Sequence, residues 1–155
     1  MSVLTACLRD SEADMRSRVG AWFQLDETLS FSAQIDCAAG AFRLVDASVG
    51  AGLPVETSTL AMLNTLTSRA VAAVDDPAQS PDAAMIEAAN GARAQGMAMR
   101  RAALEARACM DDTLATEFGR LLTAPAAIFA FDRAAATVML LDVENRVLVV
   151  ARGGT

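Results

Sequence analysis

The spacing of apolar residues along the first third of the chain predicts a helix followed by a hairpin. Ser2 can cap the helix, and one of its faces carries apolar residues three or four positions apart, or multiples of these: Leu4, Leu8, Met15, Val19 and Trp22. From residue 29 the period changes to two, which predicts a strand whose buried side carries Leu29, Phe31, Ala33, Ile35 and Cys37. The small residues 38–40 predict a tight turn or a bulge, and residues 41–47 a return strand.

Helical spacing dominates the middle of the chain. It returns over residues 55–74 and again after residue 80, where Ser80, Pro81 and Asp82 form a strong helix start. This third helix is predicted to reach Cys109, with a weak point at residues 90–96 where an asparagine and two glycines lower helix propensity. Asp111 or Asp112 is predicted to cap a fourth helix that ends before Pro125.

The last third of the chain contains three short apolar runs with brief connections. The runs are AAIFAFD, TVMLLDV and RVLVVAR, and connections this short allow only antiparallel pairing, which gives a meander. Their near-continuous apolarity indicates strands covered on both faces. We therefore predict one α+β domain over residues 1–155, in which an antiparallel sheet, made of an N-terminal hairpin and a C-terminal three-strand meander, packs against three or four helices.

The order of these elements is similar to that of small roadblock and PAS domains, and the size and acidity are similar to those of secretion chaperones. No motif in the chain is specific to either group. We therefore assign no family, and we infer no function from the order of elements.

Charge and hydropathy narrow the classes of partner. The net charge of −6 and the pI of about 4.6 repel phosphate backbones and anionic lipid, so we expect neither nucleic acid nor a membrane as partner. The apolar fraction of 54% predicts surface that is buried against a second copy or another protein, unless alanine alone inflates it. The first residues do not have the pattern of an export signal, which predicts a cytoplasmic location.

The residue types that are missing restrict the chemistry. The chain contains no His and no Tyr, and all 13 basic residues are Arg. Catalytic pairs with His, zinc sites with His, and lysine Schiff bases are thereby excluded. We expect no cofactor and no metal, and codon bias in a GC-rich genome explains the missing Lys equally well.

The three cysteines are odd in number and widely spaced, which predicts free thiols in a reducing compartment. Cys37 beside Asp36 is the candidate nucleophile, but an adjacent carboxylate raises the pKa of a thiol. Because Cys37 is in phase with the apolar side of the predicted strand, we expect it to be a buried hydrophobic residue. Asp36 is expected to accept hydrogen bonds from the turn.

The candidate ligand-binding residues are mostly arginines. Arg93, Arg100 and Arg107 recur every seven residues and form a stripe beside an apolar seam of Ile86, Met97 and Leu104. The stripe can bind an anion or an acidic partner, or its arginines can simply flank a packing seam with their heads in water. Asp36 and Arg43 complete the candidate set.

Two further patterns are weaker. The glycines of GAG at residues 50–52 have the placement of a dinucleotide loop without its third glycine, and a flexible turn is the simpler interpretation. The carboxylate pairs at residues 75–76 and 111–112 can hold a hard cation, but their positions at helix ends favour capping.

These observations lead to three functional hypotheses. The first is a non-catalytic protein-interaction or scaffold module that acts as a homodimer, with exposed apolar helix faces or the edge of the meander as its contact surface. The second is a protein that binds a small anionic ligand. The third is an enzyme that depends on Cys37 or on carboxylates.

Overall fold

The computed structural model describes residues 9–154 and shows one seven-stranded sheet with five α-helices, which is an α+β fold. The strands are β1 (Phe23–Ala33), β2 (Ala38–Val49), β3 (Val55–Glu56), β4 (Val71–Val74), β5 (Ile128–Asp132), β6 (Thr137–Asp142) and β7 (Val147–Arg152). The helices are α1 (Glu12–Val19), α2 (Thr59–Leu66), α3 (Pro81–Gly91), α4 (Arg93–Ala106) and α5 (Asp112–Leu122), with a single 3-10 turn at Arg107–Cys109.

The strand order is β1-β2-β7-β6-β5-β4-β3, and every neighbouring pair is antiparallel except the short β3–β4 pair. The predicted meander is β5-β6-β7. Its edges are not open, since β4 pairs with β5 and β2 pairs with β7. The prediction that the edge of the meander is a contact surface is therefore wrong, because a strand whose hydrogen bonds are satisfied on both sides offers no template for pairing.

Both faces of the sheet are buried. Alternate residues of β5 point to opposite sides, so Phe129 and Phe131 pack with α2 to α5 while Ile128 and Ala130 pack with α1 and β1. The strands of the meander are accordingly buried along almost their whole length, as their apolarity predicted. This two-sided core holds α2 to α5 in a layer on one face and α1 on the other, and the candidate site lies in the layer of α2 to α5.

Several predicted boundaries are wrong. The first strand begins at Phe23, the turn of the hairpin is at residues 34–37, and Ala38–Gly40 belong to β2. A Cβ at Gly40 would lie 2.8 Å from the Phe42 ring, so this glycine serves packing and makes no turn. The predicted first helix corresponds to α1. Of the residues predicted to belong to this helix, Ser2, Leu4 and Leu8 lie outside the described residues.

Two strands were missed, the short β3 and the buried β4. Residues 55–74 were predicted as one helix, but the helix is α2 alone, and Val71–Val74 form a strand buried on both faces. A four-residue run without polar positions has no period of two to mark it as a strand, and its valines are spaced as in a helix. Only the pairing with β5 decides its conformation.

The long edge strand β1 is only partly open. Its register with β2 shifts three times between Phe23 and Ser30, which bends and twists the strand. Arg16 of α1 donates hydrogen bonds to the carbonyl oxygen of Asp26 (2.8 Å) and to Oγ1 of Thr28 (3.0 Å). Bulges and a charged side chain at an edge are features that oppose pairing with another chain.

The two loops of the meander share one conformation. Each follows an aspartate that caps it: Asp132 Oδ1 accepts hydrogen bonds from Ala134 N and Ala135 N, and Asp142 Oδ1 accepts one from Asn145 N. Each also ends in a left-handed residue, Ala136 (φ 48°) or Arg146 (φ 54°). Neither of these positions is occupied by glycine, the residue best suited to them.

Replacing Arg146 by glycine is therefore expected to raise the free energy of unfolding by roughly 0.5–1 kcal/mol, since relief of the left-handed strain exceeds the entropy that glycine adds to the unfolded chain. Chemical denaturation measures the change. Arg133→Gly is the matched control, because Arg133 is in the equivalent hairpin loop with a negative φ. That control should lose stability, and a loss in both variants would contradict the prediction.

Candidate functional site

A groove of about 660 Å³ lies between α3, α4 and α5. Two of these helices begin at residues that cap them. Ser80 caps α3 by accepting a hydrogen bond from Ala83 N, and Asp111 caps α5 by accepting one from Leu114 N. The lining combines apolar and charged side chains from the three helices: Asp82, Met85, Met97, Arg100, Arg101, Ala103, Leu104, Glu105, Arg107, Phe118 and Leu122. The volume is within the range of pockets that bind ligands.

An ion pair holds α5 to the meander at the side of this groove. Nη2 of Arg120 in α5 is 2.8 Å from Oδ2 of Asp142 in β6, and it is also 2.8 Å from Oε2 of Glu117 within α5. Burial raises the pKa of the Asp142 carboxyl, but hydrogen bonds from Asn145 and Arg120 outweigh it, so that its pKa lies below the usual value. The contact therefore persists at neutral pH.

The side chains of α4 have an unusual distribution between its two faces. Its buried residues are small or flexible: Gly96, Met99, Ala102, Ala103 and Ala106. Its bulky apolar residues point outward, with Met97 49% and Leu104 69% exposed. The alternative in which the arginines flank a packing seam of Ile86, Met97 and Leu104 is therefore wrong, since Ile86 is also exposed.

Close backbone contacts explain this inversion. A Cβ at Gly96 would lie 2.1 Å from Ala89 N of α3, and a Cβ at Gly153 would lie 2.6 Å from Ala102 Cα of α4. At such separations only glycine and alanine fit between α4, α3 and the end of β7. Apart from Met99, the bulky apolar residues of α4 lie on the outer side, where Met97 and Leu104 line the groove.

Three arginines line the groove without ionic partners in the part of the chain that the structure describes. The ion pairs within residues 9–154 all lie elsewhere, and none includes Arg100, Arg101 or Arg107. The Arg107 guanidinium lies 5.9 Å from the centroid of the Phe118 ring, at the range of a cation–π contact. The lining contains two acidic residues. One of them, Glu105, is engaged within the chain, since its Oε2 accepts a hydrogen bond of 2.7 Å from Gly154 N.

The structure brings together only part of the predicted binding set. Arg100 and Arg107 line the groove, whereas Arg93 is exposed at the start of α4, outside the lining. Arg43 lies on β2, where its Nε is 3.0 Å from Oε1 of Glu27, and Asp36 is exposed in the hairpin turn. The sequence alone did not single out Arg101, Phe118 or Leu122, since nothing local brings α5 beside α4.

Cys37 is not a free thiol in this structure. Its sulfur is bonded to that of Cys109, 72 residues away, with the two Cα atoms 5.9 Å apart. The inward position predicted for Cys37 agrees with its exposure of 2%, but the prediction of free thiols is wrong for both residues. Cys7 lies outside the described residues. A disulfide sulfur has no thiolate to offer, so Cys37 is excluded as a nucleophile in this form.

The disulfide ties the hairpin turn to the end of α4, and two hydrogen bonds reinforce the connection. Gln34 Nε2 donates to the carbonyl oxygen of Ala108 at 3.0 Å, and Ser30 Oγ donates to Oδ2 of Asp111 at 2.8 Å. The hydrogen bonds from Leu114 N and Ser30 lower the pKa of the Asp111 carboxyl. The 3-10 turn that carries Arg107 is therefore anchored from outside the groove.

The remaining candidates have structural roles. Asp111 is a helix cap, and Asp76 Oδ1 accepts a hydrogen bond from Ala78 N within its loop. Gly50 N donates to the carbonyl oxygen of Trp22 at 2.8 Å, and the GAG loop leads into β3, not into a helix whose N-terminus would hold a phosphate. Residues 9–154 contain no cluster of three metal-ligating side chains.

Comparison with known proteins identifies no relative. No family model matches the chain, and neither a curated protein nor a solved structure is significantly similar to it. Among the described helices, none has the length and apolarity needed to cross a bilayer.

Proposed function

We propose that the chain is a non-catalytic protein-interaction module, and that the groove between α3, α4 and α5 binds an apolar, acidic segment of another protein. One observation carries the proposal. Helix α4 exposes Met97 and Leu104 among arginines and buries its small residues instead. A surface that presents bulky apolar groups beside charges with no internal partner is typical of a binding site.

The energetics favour an occupant that covers the apolar side chains. Fully burying a Leu or Met side chain contributes roughly 1.5–3 kcal/mol, and Met97 and Leu104 still expose about half or more of theirs. Arg107, whose guanidinium lies over the Phe118 ring, can receive a carboxylate in a bidentate contact. Apolar anchors near a few oriented arginines are the usual composition of interface hot spots.

Charge selects the kind of partner. The chain carries a net charge of −6, yet three arginines gather in the groove together with Asp82 and the internally bonded Glu105. An acidic segment is attracted to the groove while the rest of the surface repels it, which favours one binding orientation. We expect the affinity to fall as the salt concentration rises.

The sequence supports a non-catalytic role. His, Lys and Tyr are missing and Cys37 is held in a disulfide, so the groove offers no imidazole, amine or thiolate, and its carboxylates are Asp82 and the internally bonded Glu105. A small anionic ligand held by Arg100 and Arg107 is the second candidate, because the groove volume suits one. The exposed leucine and methionine favour a larger, apolar occupant.

Two features of the structure bear on the predictions of a homodimer and of a cytoplasmic location. A dimer through α4 would bring the three arginines of each groove together with only Asp82 left to pair with them, since Glu105 is bonded to Gly154. We therefore place any self-association away from this groove. The Cys37–Cys109 disulfide weighs against a cytoplasmic location, because such bonds persist mainly in oxidising compartments.

Reversing two charges tests the groove. The probes are two fluorescein-labelled 21-residue peptides of identical leucine, glutamate and alanine content, one with a helical order of residues and one with an alternating order. We expect at least one of them to bind, and Arg100→Glu with Arg101→Glu to weaken that binding by roughly tenfold or more, as two lost charge contacts imply. Fluorescence anisotropy measures the dissociation constant.

Matched controls separate the groove from general charge. Arg133→Glu with Arg146→Glu makes the same change of net charge in exposed hairpin loops and should leave binding within about twofold. A peptide with lysine in place of glutamate should not bind. If neither acidic peptide binds, or if both double variants weaken binding equally, the groove is not the docking site.

A further inference from the structure

Five exposed residues follow one line along α4 and the turn after it. They are Arg93, Met97, Arg100, Leu104 and Arg107, and their spacings are four, three, four and three residues. At about 100° per residue they lie within an arc of about 80°. We call this line the α4 seam, and four of its five residues line the groove.

The average spacing of 3.5 residues is the one by which helices pack side by side. In a coiled coil, side chains at alternate spacings of three and four meet a partner helix along its whole length. Here the seam alternates arginine with a bulky apolar residue. The solvent-exposed face of a helix is usually polar and does not carry apolar residues at this period. The exposed fractions of Met97 and Leu104 show that no described element of the chain covers these two side chains.

The same spacing disfavours an extended peptide. Met97 and Leu104 are two turns apart, which is about 10.5 Å along the helix axis. Side chains on one face of an extended strand repeat at about 6.6 Å, so they fall out of step with the seam after one contact. A helix that lies along α4 repeats at the same 10.5 Å, and all its contacts stay in step.

We infer that the occupant of the groove is an amphipathic α-helix running along α4. Apolar residues of this helix, seven apart, pack on Met97 and Leu104, and its carboxylates repeat with the same period to reach Arg100 and Arg107. The inference rests on the proposed function, and it specifies the partner's conformation. Recognition of an amphipathic helix by an apolar groove is a general mode of binding.

A second copy of α4 does not meet these requirements. It presents the same arginines and apolar residues, and its Glu105 is bonded to Gly154 N. Like charges would therefore gather in a desolvated interface in which Asp82 is the only other carboxylate of each groove, too few for three arginines. The helix must come from a chain, or a segment, with acidic residues in place of the arginines.

The decisive comparison uses the two acidic peptides on the wild-type protein. In the helical peptide, leucines occupy the first and fourth positions of three heptads, and in the other peptide the same residues are reordered so that leucines alternate. We expect the heptad peptide to bind at least tenfold more tightly and to gain helical circular dichroism on binding. Both peptides are kept at concentrations where sedimentation shows them to be monomeric.

Seam variants provide the second measurement. Met97→Ser with Leu104→Ser should weaken binding of the heptad peptide by roughly tenfold or more, since both apolar anchors are lost. Leu60→Ser with Val143→Ser is the matched control, because these residues are 60% and 45% exposed and lie outside the groove. All four positions are exposed, and thermal unfolding verifies that each variant folds.

The outcomes are distinguishable. If the alternating peptide binds as tightly as the heptad peptide, or if the seam variant binds as well as its control, the helical occupant is ruled out while the groove can still be a docking site. If neither peptide binds, the proposed function fails, and the helical occupant fails with it.

Discussion

Replacing Cys37 and Cys109 together by alanine is expected to lower the melting temperature by about 10 °C. The disulfide closes a loop of 72 residues, and in the chain-entropy description a loop of this size stabilises the folded state by about 4 kcal/mol. For a chain of this length, each kcal/mol corresponds to roughly 2–4 °C. Reduction of the wild-type protein should have the same effect as the double substitution.

Mass spectrometry checks the bond directly. Trypsin cleaves after Arg18, Arg43, Arg107 and Arg120, so the oxidised protein should release peptides 19–43 and 108–120 as one linked species. A reducing agent should separate them. If the two peptides are found apart without reduction, and if reducing agent leaves the melting temperature unchanged, the disulfide does not form in solution.

Substituting alanine at Gly96 and at Gly119 should have opposite effects, although both residues are in helices. At Gly96 the new Cβ would lie 2.1 Å from Ala89 N and 2.3 Å from Ala89 Cα, so the backbones of α3 and α4 must separate. We expect Gly96→Ala to lower the free energy of unfolding by about 3 kcal/mol, which is in the upper part of the range for overpacking, even though alanine has the better helix propensity.

Gly119 in α5 is the control for this effect. A Cβ there meets nothing within 4 Å, so Gly119→Ala should raise the free energy of unfolding by up to about 1 kcal/mol through helix propensity alone. Urea denaturation of both variants measures the difference. A Gly96→Ala variant as stable as Gly119→Ala would show that α3 and α4 are not in close contact, and the explanation of the exposed α4 seam would then fail.

The features that the sequence predicted well are local. Ser80 and Pro81 begin α3, and Asp111 caps α5, because a cap depends on hydrogen bonds within three or four residues. The meander was also predicted, since connections of four residues leave only antiparallel pairing possible.

The features that could not be predicted from the sequence depend on residues far apart in the chain. Strand β4 was predicted as helix because an apolar run buried on both faces has no distinctive period. The partner of Cys37 is 72 positions away, and an odd number of cysteines does not indicate which two pair. For the candidate site, the period of the arginines identified Arg100 and Arg107, but it could not reveal that α5 brings Phe118 beneath Arg107.

By itself, the sequence determined the α+β class, the caps of α3 and α5, the meander and the heptad period of the arginines, since each depends on neighbours within a few positions. The tertiary structure decided which face of α4 is buried. Hydrophobicity favoured burial of Met97 and Leu104, but α3 and the end of β7 approach α4 so closely at Gly96 and Ala102 that larger residues do not fit at those positions. Close packing of distant backbones thereby turned the predicted core seam into an exposed surface that is suited to a partner.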